Sequence, residues 1–266
     1  MARKIAVHDP LLGPLTDDLL TRDVRVYQRE KGHRFSSDDV ATAYVAYQTR
    51  PAARRVLDLG CGLGSVLLLL AWKLPDAELW GVEAQAMSFE LLKRNVARSG
   101  YARRVHVSHG DLRDVELLAA LGGAFELISG TPPYFPPAAA LEAEDEQRAY
   151  ARIEYRGGVE AYIAAAAPLL APGGALVLCG DARVGERTAS ASRACGLSLR
   201  ARTDVIARAG ALPLFSVWTL GREALAECLV TTLTLRDAHG CTTRDAQSLR
   251  EFSGFGRSIT EAPPGV

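Results

Sequence analysis

The chain has 266 residues, 48% of them hydrophobic, and its 31 basic residues balance 31 acidic ones. This composition predicts an ordinary globular protein of one large or two small domains, with enough apolar material for a core. Zero net charge excludes global attraction to a polyanion, so a nucleic acid would have to be gripped by a local patch.

Five cysteines (Cys61, Cys179, Cys195, Cys228, Cys241) are odd in number and lack C-x-x-C spacing. They argue against a disulfide framework or zinc cluster and for a reducing compartment, and no metal site is expected. The stretch from Met1 to Leu20 lacks a signal-peptide core. The longest apolar run, Val66 to Trp72, is far short of the ~20 residues of a membrane span. A cytoplasmic protein without a membrane partner is expected.

In chain order, Ser36-Ser37-Asp38-Asp39 reads as a capping box before a helix whose stripe is Val40, Ala43, Tyr44 and Tyr47. From Arg54 onward short β-like runs alternate with helical patterns, the signature of a parallel sheet covered by helices. Strands are expected at 56–59, 79–82, 105–107, 125–128 and 175–178, and helices at 65–74, around Leu91, Leu92 and Val96, and at 158–170. Beyond Cys195 the runs 197–206, 214–220 and 229–235 are β-rich without long helices between them, which predicts antiparallel strands closing one edge. The Ala/Glu-rich stretch 136–146 is expected to be a lid beside the site.

Asp58-Leu59-Gly60-Cys61-Gly62-Leu63-Gly64 joins a strand to a helix, and its glycines permit tight turning and close backbone approach to a ligand. The spacing is neither the G-x-G-x-x-G of dinucleotide enzymes nor a phosphate loop. Glu83 ends the next strand, where a carboxylate can accept from both hydroxyls of a ribose. Asp111 follows the third strand, placed to accept from the exocyclic amine of an adenine. Together these positions suit an adenosine without phosphates. In this order and spacing they resemble the class I methyltransferases, which implies S-adenosylmethionine as cofactor, held by Asp58, Gly60, Gly62, Gly64, Glu83, Asp111 and Thr131.

After the fourth strand comes Thr131-Pro132-Pro133-Tyr134-Phe135, at the carboxyl edge of the sheet where ligands bind in open α/β folds. It resembles the Asn/Asp-Pro-Pro-Tyr motif of methyltransferases that modify planar amino groups. The resemblance implies a catalytic segment of Thr131, Pro132, Pro133 and Tyr134, with Tyr134 and Phe135 receiving the base. The motif's first side chain and a proline carbonyl would accept from the target nitrogen, whose lone pair is otherwise delocalised. Thr131 departs from the motif, since a hydroxyl offers a single, shorter oxygen that must also be oriented.

Gln28, Gly32, Arg34, Phe35, Ser36 and Asp38, then Tyr155-Arg156-Gly157-Gly158-Val159-Glu160, then Leu233 to Gly240 with Thr243, resemble the bacterial tRNA (adenine-N6) methyltransferases acting on valine tRNA. That likeness spans roughly 27–252. It implies a Rossmann-like α/β fold: a seven-stranded, mainly parallel sheet with an antiparallel C-terminal edge and a short N-terminal extension. The expected organisation is an extension of hairpin and helix over 1–50, a methyltransferase domain over 51–256 and a disordered tail over 257–266. The implied partner is RNA, specifically tRNA, and a monomer is assumed. Only four of the basic residues are lysines, so arginines would grip the RNA. Arg34 leads the candidates, followed by Arg103, Arg104, Arg148, Arg152 and Arg156.

Two alternatives remain open. A protein glutamine N5-methyltransferase shares the Asn-Pro-Pro-Tyr motif, though such enzymes usually carry an N-terminal helical domain for which this chain has no room. A catalytically impaired, cofactor-binding RNA-binding protein is kept open by Thr131, while the intact Gly60, Gly62, Gly64, Glu83 and Asp111 argue against decay.

Overall fold

In the computed structural model, which describes residues 5–139, 145–223 and 227–256, the chain opens with a small antiparallel sheet of β1 (Ile5–Asp9), β2 (Gly13–Leu19) and β3 (Arg25–Arg29). The expected hairpin thus has a third strand. Helix α1 (Ser37–Thr49) follows, its start fixed as the capping box predicts: the Ser36 N–H donates to Asp39 Oδ2 at 2.8 Å. Its deepest residues are Ala41, Thr42, Ala43, Val45 and Ala46, while Tyr44 and Tyr47 lie half-buried against Phe252.

The main sheet contains β4 (Arg55–Leu59), β5 (Glu78–Glu83), β6 (Val105–His109), β7 (Phe125–Gly130), β8 (Leu170–Gly180), β9 (Ser198–Ile206), β10 (Pro213–Gly221) and β11 (Leu229–Thr234). Their spatial order is β11-β9-β10-β8-β7-β4-β5-β6. Strands β4 to β8 are mutually parallel and β10 is antiparallel to both neighbours. The C-terminal edge differs from the expectation in one respect, because β11 adds an eighth strand parallel to β9. Both edges of β10 are saturated by β8 and β9, so the chain must cross over β9 to find a free edge.

Helix α2 (Ser65–Lys73) shows no narrow stripe because Ser65 to Ala71 are all buried. Helix α3 (Ala86–Ser99) turns Leu91, Leu92 and Val96 inward and stops at Gly100, in the left-handed conformation with φ 81°. The remaining helices are α4 (Val115–Ala120), α5 (Glu146–Arg152), α6 (Val159–Ala166), α7 (Gly185–Ala194) and α8 (Arg244–Phe252). The helix expected at 158–170 is shorter: a 3₁₀ turn containing Pro168 follows α6, and Leu170 already pairs with Phe125. The Pro172-Gly173-Gly174 segment is a bulge within β8, where a side chain on Gly174 would press on the Phe125 carbonyl, 2.9 Å from a Cβ.

Strand order reverses between β4 and β7, which makes their carboxyl ends the topological switch point where open α/β sheets bind ligands. Register brings the key loops together. Leu59 pairs with Gly130 and with Val82, and Glu83 pairs with His109, so Gly60, Thr131, Glu83 and Gly110 emerge side by side.

Of the expected lid, 140–144 lies outside the described residues, as does the tail 257–266; the lid's flanks are a 3₁₀ turn at Pro137–Ala139 and α5. No helix among the described residues is long and apolar enough to cross a membrane.

Candidate active site

A cleft opens over the switch point, lined by Gly60, Cys61, Gly62, Glu83, Gly110, Asp111, Thr131, Pro133, Arg156, Gly157 and Tyr162, among others. Gly62 sits at φ 57° with no atom within 4 Å of where a Cβ would point, so its backbone is open to a ligand. At Gly60 (φ 59°) a Cβ would instead collide with the Tyr162 hydroxyl. Gly64 caps α2 and packs against Leu92, shaping the loop without lining the cleft.

Glu83 is buried, which raises its carboxyl above the usual range. It accepts from the Gly62 N–H at 2.8 Å and the Gln85 N–H at 2.7 Å, so acid and glycine loop form one rigid wall. From Gln85 a relay continues: Ser88 Oγ donates to Gln85 Oε1 at 2.7 Å and Gln147 Nε2 donates to Ser88 Oγ at 3.1 Å, which anchors α5 to the same wall.

Asp111 lines the cleft, and a hydrogen bond from Arg113 holds its carboxyl below its ordinary value; Arg113 Nη2 lies 2.7 Å from Oδ2. Asp58 lies underneath the loop, 1% exposed, and accepts from Ser129 Oγ at 2.7 Å. Burial pushes it up to about 7. It joins β4 to β7 through Ser129 and is not among the residues that line the cleft.

A second, more open pocket adjoins the first and is lined by Arg34, Asp38, Pro132, Tyr134, Phe135, Arg148 and Arg152, among others. The two share His33, Asp39, Thr131 and Ala151. Tyr134 turns its hydroxyl inward, donating to Asp38 Oδ2 at 3.1 Å and lying 3.2 Å from Cys179 Sγ, and burial raises its phenol. The N–H groups of Tyr134 and Phe135 both donate to the Arg152 carbonyl, at 3.1 and 3.0 Å, so α5 straps the Pro-Pro-Tyr-Phe segment.

The strap continues to the first cleft. Arg187 Nη1 and Nη2 donate to Glu154 at 3.1 Å, while its Nε and Nη2 donate to Glu160 at 2.6 and 2.8 Å, bracketing the Arg156-Gly157 turn that lines that cleft.

The arginines expected to grip RNA divide by what they touch. Arg34 lines the second pocket, and its guanidinium donates to Asp18 Oδ2 at 2.6 Å and Thr16 Oγ1 at 2.8 Å, binding the 28–36 segment to β2. Arg104 lines neither pocket and donates to the carbonyls of Ala71, Leu74 and Ala77, across the end of α2 and the turn after it. Arg103 is exposed but does not line either pocket. Arg148 and Arg152 are exposed at the mouth of the second pocket, Arg152 lying 5.6 Å from the Phe135 ring centroid. Arg156 stands over the Tyr150 ring at 4.4 Å, on the first cleft.

Sequence reasoning missed Asp39 and His33, the polar side chains that join Thr131 on the wall between the pockets. Asp39 was legible only as a helix cap, and His33 carried no motif.

The sheet order, the glycine loop and the strand-end acids define a class I, S-adenosylmethionine-dependent methyltransferase. Within that class the chain belongs to the methyltransferase small domain family, whose model matches residues 34–194. It is 31% identical over 191 residues to the tRNA1(Val) (adenine(37)-N6)-methyltransferase of Yersinia pestis, covering 71% of this chain and 74% of that one. With the enzyme of the same name from Porphyromonas gingivalis it shares 37% identity over 123 residues, 46% of this chain and about half (48%) of the relative's length. In fold it is similar to a predicted O-methyltransferase from Agrobacterium tumefaciens, at TM-score 0.60 and 18% identity, covering 81% of this chain and 96% of that one.

Proposed function

We propose that the chain methylates the exocyclic N6 amine of an adenine in tRNA, drawing the methyl group from S-adenosylmethionine. One observation carries this reading: Thr131 stands on the wall common to both pockets, with cofactor-type acids on one side and Pro132, Tyr134 and Phe135 on the other. The names of the relatives supply the substrate class.

The first cleft fits the cofactor, because Gly62 leaves space for a close ligand and Glu83 and Asp111 stand at adjacent strand ends. Gly60 and Gly62 would lie against it, Glu83 would take the ribose hydroxyls and Asp111 the adenine amine, while Gly64 holds the loop in shape. When bound, the cofactor supplies an electrophilic methyl group on a sulfonium.

The protein's own part is orientation and polarisation. Tyr134 and Phe135 would receive a base swung out of an RNA loop, as base-modifying enzymes require. The Pro132 carbonyl and Thr131 Oγ1 would accept from the amine. Arg148 and Arg152, at the pocket mouth, would meet phosphates.

The test is incubation of the purified protein with labelled S-adenosylmethionine and unmodified total tRNA, followed by nucleoside mass spectrometry. N6-methyladenosine is expected, and strongly reduced in Tyr134→Ala. Absence of that nucleoside from the native protein, with cofactor binding intact, overturns the reading.

A further inference from the structure

Four residues line both pockets, and of these Ala151 has no polar side-chain atom. The nitrogen that receives the methyl group must sit where the pockets meet, so its polar neighbours come from His33, Asp39, Thr131 and nearby backbone. Where relatives with Asn or Asp at the motif's first position place a carboxamide or carboxylate, Thr131 offers a single hydroxyl oxygen. The missing acceptor must come from elsewhere on that wall.

Asp39 has the properties required. It is 7% exposed, in the first turn of α1, and two donors fix its orientation: the Ser36 N–H to Oδ2 at 2.8 Å and Ser65 Oγ to Oδ1 at 2.7 Å. A carboxylate has about four lone-pair sites, so each oxygen retains one. Desolvation makes an anionic acceptor more effective at this position than in water, and a fixed one needs no reorganisation as charge develops on the amine. His33 lies on the 30–36 loop, where no hydrogen bond among the described residues tethers its ring.

We infer that Asp39 is a catalytic residue, supplying the acceptor for the target amine that the threonine of the Thr-Pro-Pro-Tyr segment does not. The inference rests on the adenine reading. In the transfer the amine lone pair forms the new N–C bond as the C–S bond breaks and its electron pair passes to sulfur. The nitrogen then carries the positive charge and releases one proton, which the Asp39 carboxylate accepts and returns to water.

The experiment compares five proteins on unmodified tRNA: native, Asp39→Asn, Thr131→Asn, the double variant of these two, and His33→Gln. Cofactor affinity of each is measured by calorimetry as a separate check on folding and on the first cleft. The expected result is a kcat about 10- to 100-fold lower in D39N, the range for losing a charge-assisted hydrogen bond, with cofactor affinity within about twofold. T131N in the D39N background should recover most of that loss, because a carboxamide returns at the motif's first position.

Unchanged kcat in D39N, or a loss that T131N does not repair, overturns the role while leaving the adenine reading intact. A large fall in cofactor affinity also overturns it, by assigning Asp39 to cofactor binding. If His33→Gln reproduces the loss and D39N does not, the acceptor is His33. Absence of N6-methyladenosine from the native protein overturns both the role and the reading on which it rests.

Discussion

Tyr134 and Asp38 are hydrogen-bonded across 96 residues of sequence, phenol hydroxyl to carboxylate at 3.1 Å. The bond ties the segment after β7 to the first turn of α1 and fixes the ring that faces the second pocket. Removing the ring in Tyr134→Ala should lower transfer by about 10- to 100-fold, since stacking alone contributes ~1–3 kcal/mol per base. Tyr134→Phe keeps the ring and loses only the tether, so its kcat should fall less than about tenfold. Calorimetry should find cofactor affinity nearly unchanged in both, and full activity in Tyr134→Ala would remove the ring from the site.

Glu83 holds the glycine loop and faces the same cleft. Glu83→Ala should weaken cofactor binding by about 10- to 100-fold, the scale of one or two hydrogen bonds to a charged group, and leave tRNA binding unaffected. Equilibrium dialysis with labelled cofactor and a filter-binding assay with tRNA separate the two effects. Equal losses in both would point to collapse of the loop.

Arg187 acts at a distance, through Glu154 and Glu160. Arg187→Ala should release the Arg156-Gly157 turn and raise KM for the cofactor several-fold with a smaller change in kcat. Arg187→Lys should repair little of this, because an ammonium cannot make the bidentate pairs seen here. Steady-state kinetics at varied cofactor concentration decide; unaltered KM in both variants would show that the turn holds without the clamp.

Arg148 and Arg152 should contribute electrostatic contacts. Replacing either with Ala is expected to weaken tRNA binding and lower the slope of log K against log salt by about one. Arg34→Ala should behave differently, lowering thermal stability without a specific change in that slope, because its guanidinium is spent on Asp18 and Thr16.

Burial pushes both Asp58 and Asp39 up to about 7 from 3.8. Between those values the folded chain binds protons that the unfolded chain has released, so the stability these groups lend is complete below about pH 4 and is lost as pH rises toward 7. Carboxylates held low, such as Asp18 and Asp111, act in the opposite sense below that window. Denaturant titrations of the ligand-free protein should show stability falling from pH 4 to 7, with a flatter profile in Asp58→Asn. An unaltered slope in that variant would assign the fall to other groups.

Local pattern was enough to establish the parallel strands, the glycine loop, the acids at strand ends and the Thr-Pro-Pro-Tyr segment. Each is written in contiguous residues, and strand–loop–helix periodicity fixes which side of a sheet a loop leaves. Pairings between distant residues were not legible. The sequence could place Arg34 beside a motif but not reveal that Asp18 and Thr16 consume its guanidinium. Nor could it show that β11 must run beyond β9 because β10 has no free edge.

Asp39 shows the same division. Its spacing from Ser36 marks it as a cap, a local property that depends on backbone hydrogen bonds three residues apart. That it also faces both pockets depends on how α1 packs over β7 and β8, and hydrophobic burial, which sets that packing, has no direction along the chain. Sequence therefore determined which chemistry is available, and the tertiary structure decided which groups are free to perform it.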